Sequence, residues 1–145
     1  MKLLDNIYVY PWTSYEANNC NAVFIDGPVP TLIDPGHRNL LGNVMNGMAR
    51  DGKNIESVRL VMGTHGHPDH IGGNLTASGN PLYSNARYVM AQEEWDFWSD
   101  PAAVEALIPD ADTRQRNLDA FEANLAPLEG SIELIGFDEE IVPGV

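Results

Sequence analysis

Thr64-His65-Gly66-His67-Pro68-Asp69-His70-Ile71-Gly72-Gly73-Asn74 holds three of the four histidines of this 145-residue chain, together with an aspartate, within six residues. In an extended segment alternate side chains face the same way, so His65 and His67 point together at roughly 6.5 Å Cα spacing, a separation two imidazoles can bridge onto one cation. Asp69 and His70 fall just beyond, where the backbone turns, and approach a second cation ~3.5 to 4 Å from the first. Gly66 permits a close backbone approach, Pro68 fixes its own φ, and Gly72-Gly73 lets the chain pass tightly beneath the site. A polar loop whose histidines only bond their neighbours is the bland alternative, and it accounts poorly for four donors this close together. Imidazole with carboxylate favours Zn²⁺, although Fe, Mn or Co accept the same ligands.

Upstream of this cluster, residues 58–62 form an apolar, β-branched run that reads as a buried strand. Before that, Leu40, Leu41, Val44, Met45 and Met48 recur at helical spacing, with Asn39 as N-cap and Gly52 as stop, so the strand completes a β-α-β step. Residues 7–10, 22–26 and 31–34 are short β-rich runs, the last two joined by Gly27-Pro28-Val29-Pro30, which reads as the turn of an antiparallel meander. Downstream, 87–91 reads as a strand, 92–98 as a short helix and 113–126 as a longer one stopped by Pro127. Residues 131–135 and 140–142 read as two final strands. The class is mixed α/β, in one domain over 1–145, since this length suits a single core and no linker divides it.

Lys plus Arg is 8 and Asp plus Glu is 21, a formal net charge of −13. Phosphate neutralisation needs the opposite balance, so nucleic acid is not an expected partner. Residues 1–90 carry 7 acids and 6 bases, and 91–145 carry 14 and 2, which locates the acidity on solvated helix faces of the C-terminal part. Lone Cys20 has no intramolecular disulfide partner, the first residues lack a leader pattern, and no apolar run reaches membrane-spanning length. The expectation is a cytoplasmic protein that does not enter a membrane. Cys20 reads as a buried small hydrophobe, with a soft metal ligand as the alternative.

At His65, His67, Asp69 and His70 the sequence resembles the metallo-β-lactamase superfamily, whose H-x-H-x-D-H hallmark it matches without departure. Asn18-Asn19-Cys20-Asn21 entering a strand and Leu32-Ile33-Asp34-Pro35-Gly36 before a helix follow the same order along the chain. The resemblance implies an αββα sandwich with metals at one edge of two sheets. It also implies a metal-bound hydroxide attacking an ester, thioester, lactone or lactam carbonyl of a small-molecule substrate. It makes His65, His67, Asp69 and His70 the metal ligands and Asp69 also the catalytic group that orients the nucleophile. Asp34 becomes a support hydrogen-bonded to a ligating imidazole, its alternative being a turn-capping aspartate. Residues 86–98 carry a narrower likeness to the lactonases and glyoxalase II; Trp95 and Trp98 in it read as packing.

Members of this family complete the site with a later histidine, a bridging aspartate and a last histidine, and none of these is present. His37, in the early Asp34-Pro35-Gly36 turn, is a further candidate but does not replace two ligands. The expectation is therefore the N-terminal half of such a sandwich, truncated before the remaining ligand loops, holding one or two Zn ions (or Fe or Mn) weakly and inactive by itself. Such a half leaves a sheet face open, which points to a homo-oligomer or a complementing C-terminal half. The competing reading is a non-catalytic metal-binding or assembly protein that keeps the fold.

Overall fold

Six strands form a sheet in chain order: β1 (Ile7–Tyr10), β2 (Ala22–Ile25), β3 (Thr31–Ile33), β4 (Leu60–Gly63), β5 (Arg87–Ala91) and β6 (Ile132–Ile135). The computed structural model describes residues 1–12, 20–136 and 138–143. β1 to β3 are the expected antiparallel meander, and β3 to β6 run parallel. Parallel neighbours need crossovers, and helices supply them. α1 (Leu41–Arg50) links β3 to β4, α2 (Pro68–Ile71) follows β4, and α3 (Gln92–Ser99), α4 (Pro101–Leu107) and α5 (Ala111–Asn124) lie between β5 and β6.

The ladder register places Tyr8, Phe24, Leu32, Val61 and Tyr88 side by side on one face. All five are buried, and they join Val44 and Met48 of α1, Trp98 of α3, Val104 of α4 and Phe121 of α5 in the core. Each such side chain contributes about 1.5–3 kcal/mol by leaving water. The opposite face carries Ile7, Val9, Val23, Ile25, Ile33, Met62 and Ile135, half-buried, around Leu60 and Val89, which are buried. One helix layer on one sheet is thus the mixed α/β arrangement of the described residues.

α1 buries Val44, Gly47 and Met48 at helical spacing, and a Cβ on Gly47 would come within 2.5 Å of the Tyr10 ring. It stops where Gly52 takes φ +69, as read. Its start differs from the expected Asn39 cap: a 3₁₀ turn, Arg38–Leu40, comes first, capped by His37, whose Nδ1 accepts from Asn39 N at 3.1 Å. The strand expected at 58–62 begins two residues later, because Val58 closes a preceding 3₁₀ turn. The last helix begins at Ala111 rather than 113, since Asp110 accepts from Thr113 N at 2.8 Å, and it ends at Asn124, ahead of Pro127. α4, which the sequence reading left out, starts from Asp100 as cap and Pro101 at its first position.

The strand expected at 140–142 does not form. Residues 138–143 are bends and turns with no ladder partner among the described residues, and Gly136 and Glu139 close a local turn on each other. Extended residues become a strand only when a neighbour takes up their N–H and C=O groups. Asn18, Asn19 and the side chain of Leu40, all used in the sequence reading, lie outside the described residues.

Candidate metal centre

The carboxyl ends of parallel strands leave a crevice where loops can present side chains. Here the loop after β4, the short helix α2 and the turn after β3 meet at that edge. Pro68 at the first position of α2 and His67 as its cap make the backbone turn between the second imidazole and Asp69. The two glycines that follow are sterically required. A Cβ on Gly72 would lie 2.6 Å from Pro68 O and 2.7 Å from Arg38 N, and one on Gly73 would lie 2.7 Å from Pro35 O. Backbone bonds lock the two turns together, Gly36 N to His70 O at 3.2 Å and Gly73 N to Gly36 O at 2.7 Å.

Asp34 sits at this junction, 6% exposed and at φ +51, a conformation aspartate tolerates better than most side chains. Its Oδ1 accepts from Thr64 N at 2.8 Å, and its Oδ2 lies 2.7 Å from Thr64 Oγ1 and 2.8 Å from His70 Nδ1. An ionised carboxylate only accepts, so the Thr64 hydroxyl and the His70 Nδ1–H both donate to it. The hydroxyl oxygen then accepts from His65 Nδ1 at 3.1 Å. That chain of donors turns Nε2 of His65 toward His67 and Nε2 of His70 toward Asp69.

The four side chains of the motif meet at those atoms. His65 Nε2 lies 3.1 Å from His67 Nδ1, and His70 Nε2 lies 3.5 Å from Asp69 Oδ2. Two donors each about 2.0–2.2 Å from a tetrahedral zinc stand a little over 3 Å apart, so both pairs fit a divalent cation. The His65 and His70 rings are 3.8 Å apart between centroids, which places the two pairs side by side. Burial, then the neighbouring His70 and His67, pushes the His65 imidazole below its ordinary pKa, and a neutral ring is the form that ligates.

Cys20 joins this group. Its Sγ, an Asp34 carboxylate oxygen and a His70 ring nitrogen lie within 4.8 Å of one another. The thiol contacts Asp34 O at 3.7 Å, and burial, with Asp34 and Asp69 beyond it, pushes its pKa up to about 12. In this state it is a protonated donor rather than a thiolate. His37, the remaining candidate, borders the same edge with its Nδ1 committed to Asn39 N.

A brace from α3 was not legible in the sequence. Glu94 Oε2 accepts from Gly66 N at 2.9 Å and from Trp98 Nε1 at 3.0 Å. The Trp98 ring lies under Gly66, where a Cβ would come within 2.3 Å of it, and meets the His67 ring edge-on at 5.5 Å. Trp98 is therefore packing, as read, and it is also the floor of the loop. Trp95 packs on Phe121 at 5.3 Å. The spacing of Glu94 and Trp98 puts them on one helix face, but nothing in it points to a glycine twenty-eight residues earlier. Between His67 and Asp69 on one side and Thr113, Arg116 and Asn117 of α5 on the other opens a cavity of about 480 Å³.

The family model of the metallo-beta-lactamase superfamily matches residues 15–141. Metallo-beta-lactamase domain-containing protein 1 of Mus musculus is 46% identical over 43 residues, which are 30% of this chain and 16% of that protein. The crystal structure of hydrolase AbOPH in the beta lactamase superfamily superposes with a TM-score of 0.73 at 25% identity, covering 83% of this chain and 44% of that one. AidC, a dizinc quorum-quenching lactonase, superposes with a TM-score of 0.73 at 18% identity, covering 85% of this chain and 45% of its own, a likeness of fold. The chain thus spans less than half the length of each of these proteins.

Proposed function

The chain belongs to the metallo-β-lactamase superfamily, and on that footing we propose that it is a metal-dependent hydrolase module in which His65 and His67 hold one divalent cation and Asp69 and His70 a second. The observation that carries this reading is the convergence of three imidazoles and a carboxylate in two adjacent pairs, at 3.1 and 3.5 Å. A divalent cation held there supplies Lewis acidity, drawing charge from a carbonyl oxygen and bringing the pKa of water near 7. Zinc is the metal we assign, with iron or manganese as substitutes. The substrate class is a small ester, thioester, lactone or lactam.

The chain's own residues set the geometry. Asp34 holds the His70 proton on Nδ1 at 2.8 Å, so that Nε2 faces outward, and fixes the Thr64 hydroxyl, which in turn fixes the His65 tautomer. Asp69, on the first turn of α2, brings its carboxylate to the same edge and orients the attacking water. Glu94 and Trp98 keep the intervening loop from lifting. Zinc content per purified chain, measured beside hydrolysis of a panel of activated esters and lactones, tests the reading. Turnover lost on His67→Ala and on chelation supports it; turnover that survives both overturns it.

A second reading is favoured by the donor count. Catalytic zinc ordinarily has three protein ligands, and each pair here provides two among the described residues. On this reading the isolated chain binds metal weakly and does not turn over until another polypeptide completes the site. The half-buried apolar face of the sheet, with Val9, Val23, Ile33 and Met62, supports such a partner, either a complementing half or a second copy of this chain. Bound zinc without turnover, together with a dimer in sedimentation, is the outcome this reading expects. A cytoplasmic location is part of the same proposal, supported by the single cysteine. Among the described residues no helix is long and apolar enough to cross a membrane.

A further inference from the structure

We propose that the cavity beside the metal motif carries a receptor for a carboxylate group on the substrate, remote from the bond to be cleaved, with Arg116 as its anchor. The inference rests on the hydrolase reading of the same site and names a substrate class for it. Two walls define the cavity: His67 and Asp69 from the motif, and Thr113, Arg116 and Asn117 from α5. Its volume, about 480 Å³, suits a small molecule. The α5 residues are spaced three and four apart, so they present one helix face toward the motif.

Charge makes Arg116 unusual. Residues 91–145 carry 14 acids and only 2 bases, so an arginine there has carboxylates on every side. Arg114, the other base, behaves accordingly: it pairs with Glu105 at 3.6 Å and donates to Ile108 O at 2.9 Å. Arg116 forms no ion pair with any described residue; Asp110, held below its ordinary pKa first by its hydrogen bonds from Thr113, feels the Arg116 charge only as a lesser contribution. Asp119 takes the Gln115 amide at 2.7 Å. The Arg116 guanidinium donates from Nη2 to Thr113 Oγ1 at 3.0 Å, which ties it to a neighbour that lines the same cavity.

A guanidinium oriented by one hydrogen bond retains a planar fork of donors, and that fork matches a carboxylate in two parallel bonds. Asn117 adds an amide on the same wall. A substrate whose scissile carbonyl lies at the motif would therefore reach Arg116 with a second, anionic end. Neutral esters and lactones would lack that anchor.

The test is binding of glutarate to the zinc-loaded chain, read from the Arg116 guanidinium resonance in NMR titrations, with glutaramide and methyl phosphate as comparisons. The expected result is saturable glutarate binding that Arg116→Gln weakens about tenfold or more, about 1.4 kcal/mol. Arg116→Lys should retain part of it, since charge survives without the fork, Arg114→Gln should match the parent, and glutaramide should not bind. Equal glutarate binding by Arg116→Gln, an equal loss in Arg114→Gln, or tighter binding of methyl phosphate than of glutarate would overturn the proposal. Zinc uptake measured by dialysis on the same samples separates the two readings. Arg116-dependent glutarate binding without zinc uptake keeps the subsite and removes the metal assignment; zinc uptake with glutarate binding indifferent to Arg116 does the reverse.

Discussion

Replacing Gly66 by alanine adds one methyl group between the two imidazoles of the first ligand pair. The added Cβ would stand 2.3 Å from Trp98 Cδ1 and Nε1 and 3.1 Å from Cε2, more than an ångström inside ordinary contact for the closest atoms. The indole has little room to yield. It is 3% exposed, its Nε1 is bonded to Glu94 at 3.0 Å, and it packs on Phe97 at 5.0 Å. The loop must therefore lift, which stretches the 2.9 Å bond from Gly66 N to Glu94 and carries His65 and His67 away from their 3.1 Å approach. Overpacking of this kind costs about 1–3 kcal/mol. Displacing the support of ligating side chains typically costs about 10- to 100-fold in metal affinity. Urea unfolding of the zinc-free chain measures the first, and zinc competition against a chromophoric chelator measures the second. Stability within about 0.5 kcal/mol of the parent and zinc affinity within about twofold would refute the claim that Trp98 is the floor of this loop. Combining Gly66→Ala with Trp98→Leu should make the losses less than additive, because the second change removes what the methyl group strikes.

Further outcomes follow from neighbouring contacts. Glu94→Ala leaves Gly66 N and Trp98 Nε1 without their acceptor and should lose about 1–3 kcal/mol in urea unfolding, whereas Glu94→Gln, which keeps an oxygen, should lose less. Asp34→Asn should cut zinc affinity by about 10- to 100-fold while the chain still folds, because it withdraws the full acceptor from His70 Nδ1 and Thr64; unchanged affinity in a chelator competition would contradict the tautomer argument. With its pKa raised from 9.0 to about 12, Cys20 should react with iodoacetamide at pH 8 roughly a thousandfold slower than a free thiol, and labelling at the free-thiol rate would rule this out. The same shift has a sign for stability: between pH 9 and 12 the folded chain keeps a proton that the unfolded chain loses. The contribution of Cys20 is therefore complete below pH 9 and declines above it, and unfolding of Cys20→Ala should show a shallower alkaline loss.

The chemistry-bearing residues were legible because they are local. His65, His67, Asp69 and His70 sit within six residues, and the strand, turn and proline around them dictate their common direction from backbone geometry alone. The β-α-β step, the meander and the strand at 87–91 were likewise readable, since each depends on periodicity or on a turn a few residues long. Where the reading missed, neighbours far along the chain decided. Residues 140–142 have strand-like composition but no ladder to join. The first helix starts after a 3₁₀ turn because His37, not Asn39, supplies the capping atom.

By itself, then, the sequence determined the His-x-His-x-Asp-His cluster, the family and the mixed α/β class, which rest on contiguous residues whose spacing translates directly into direction. Only the tertiary structure decided that Asp34 and Thr64 meet the Nδ1 atoms of His70 and His65, that Glu94 and Trp98 hold the loop, and that Arg116 lines the same cavity as the motif. These depend on atoms from α3 and the turn after β3 arriving within about 3 Å of the loop, and on α5 lining the cavity opposite it, although about thirty to fifty residues separate them along the chain. Hydrogen bonds and steric contact act over that short range in space and are blind to distance along the chain, so no local pattern encodes them.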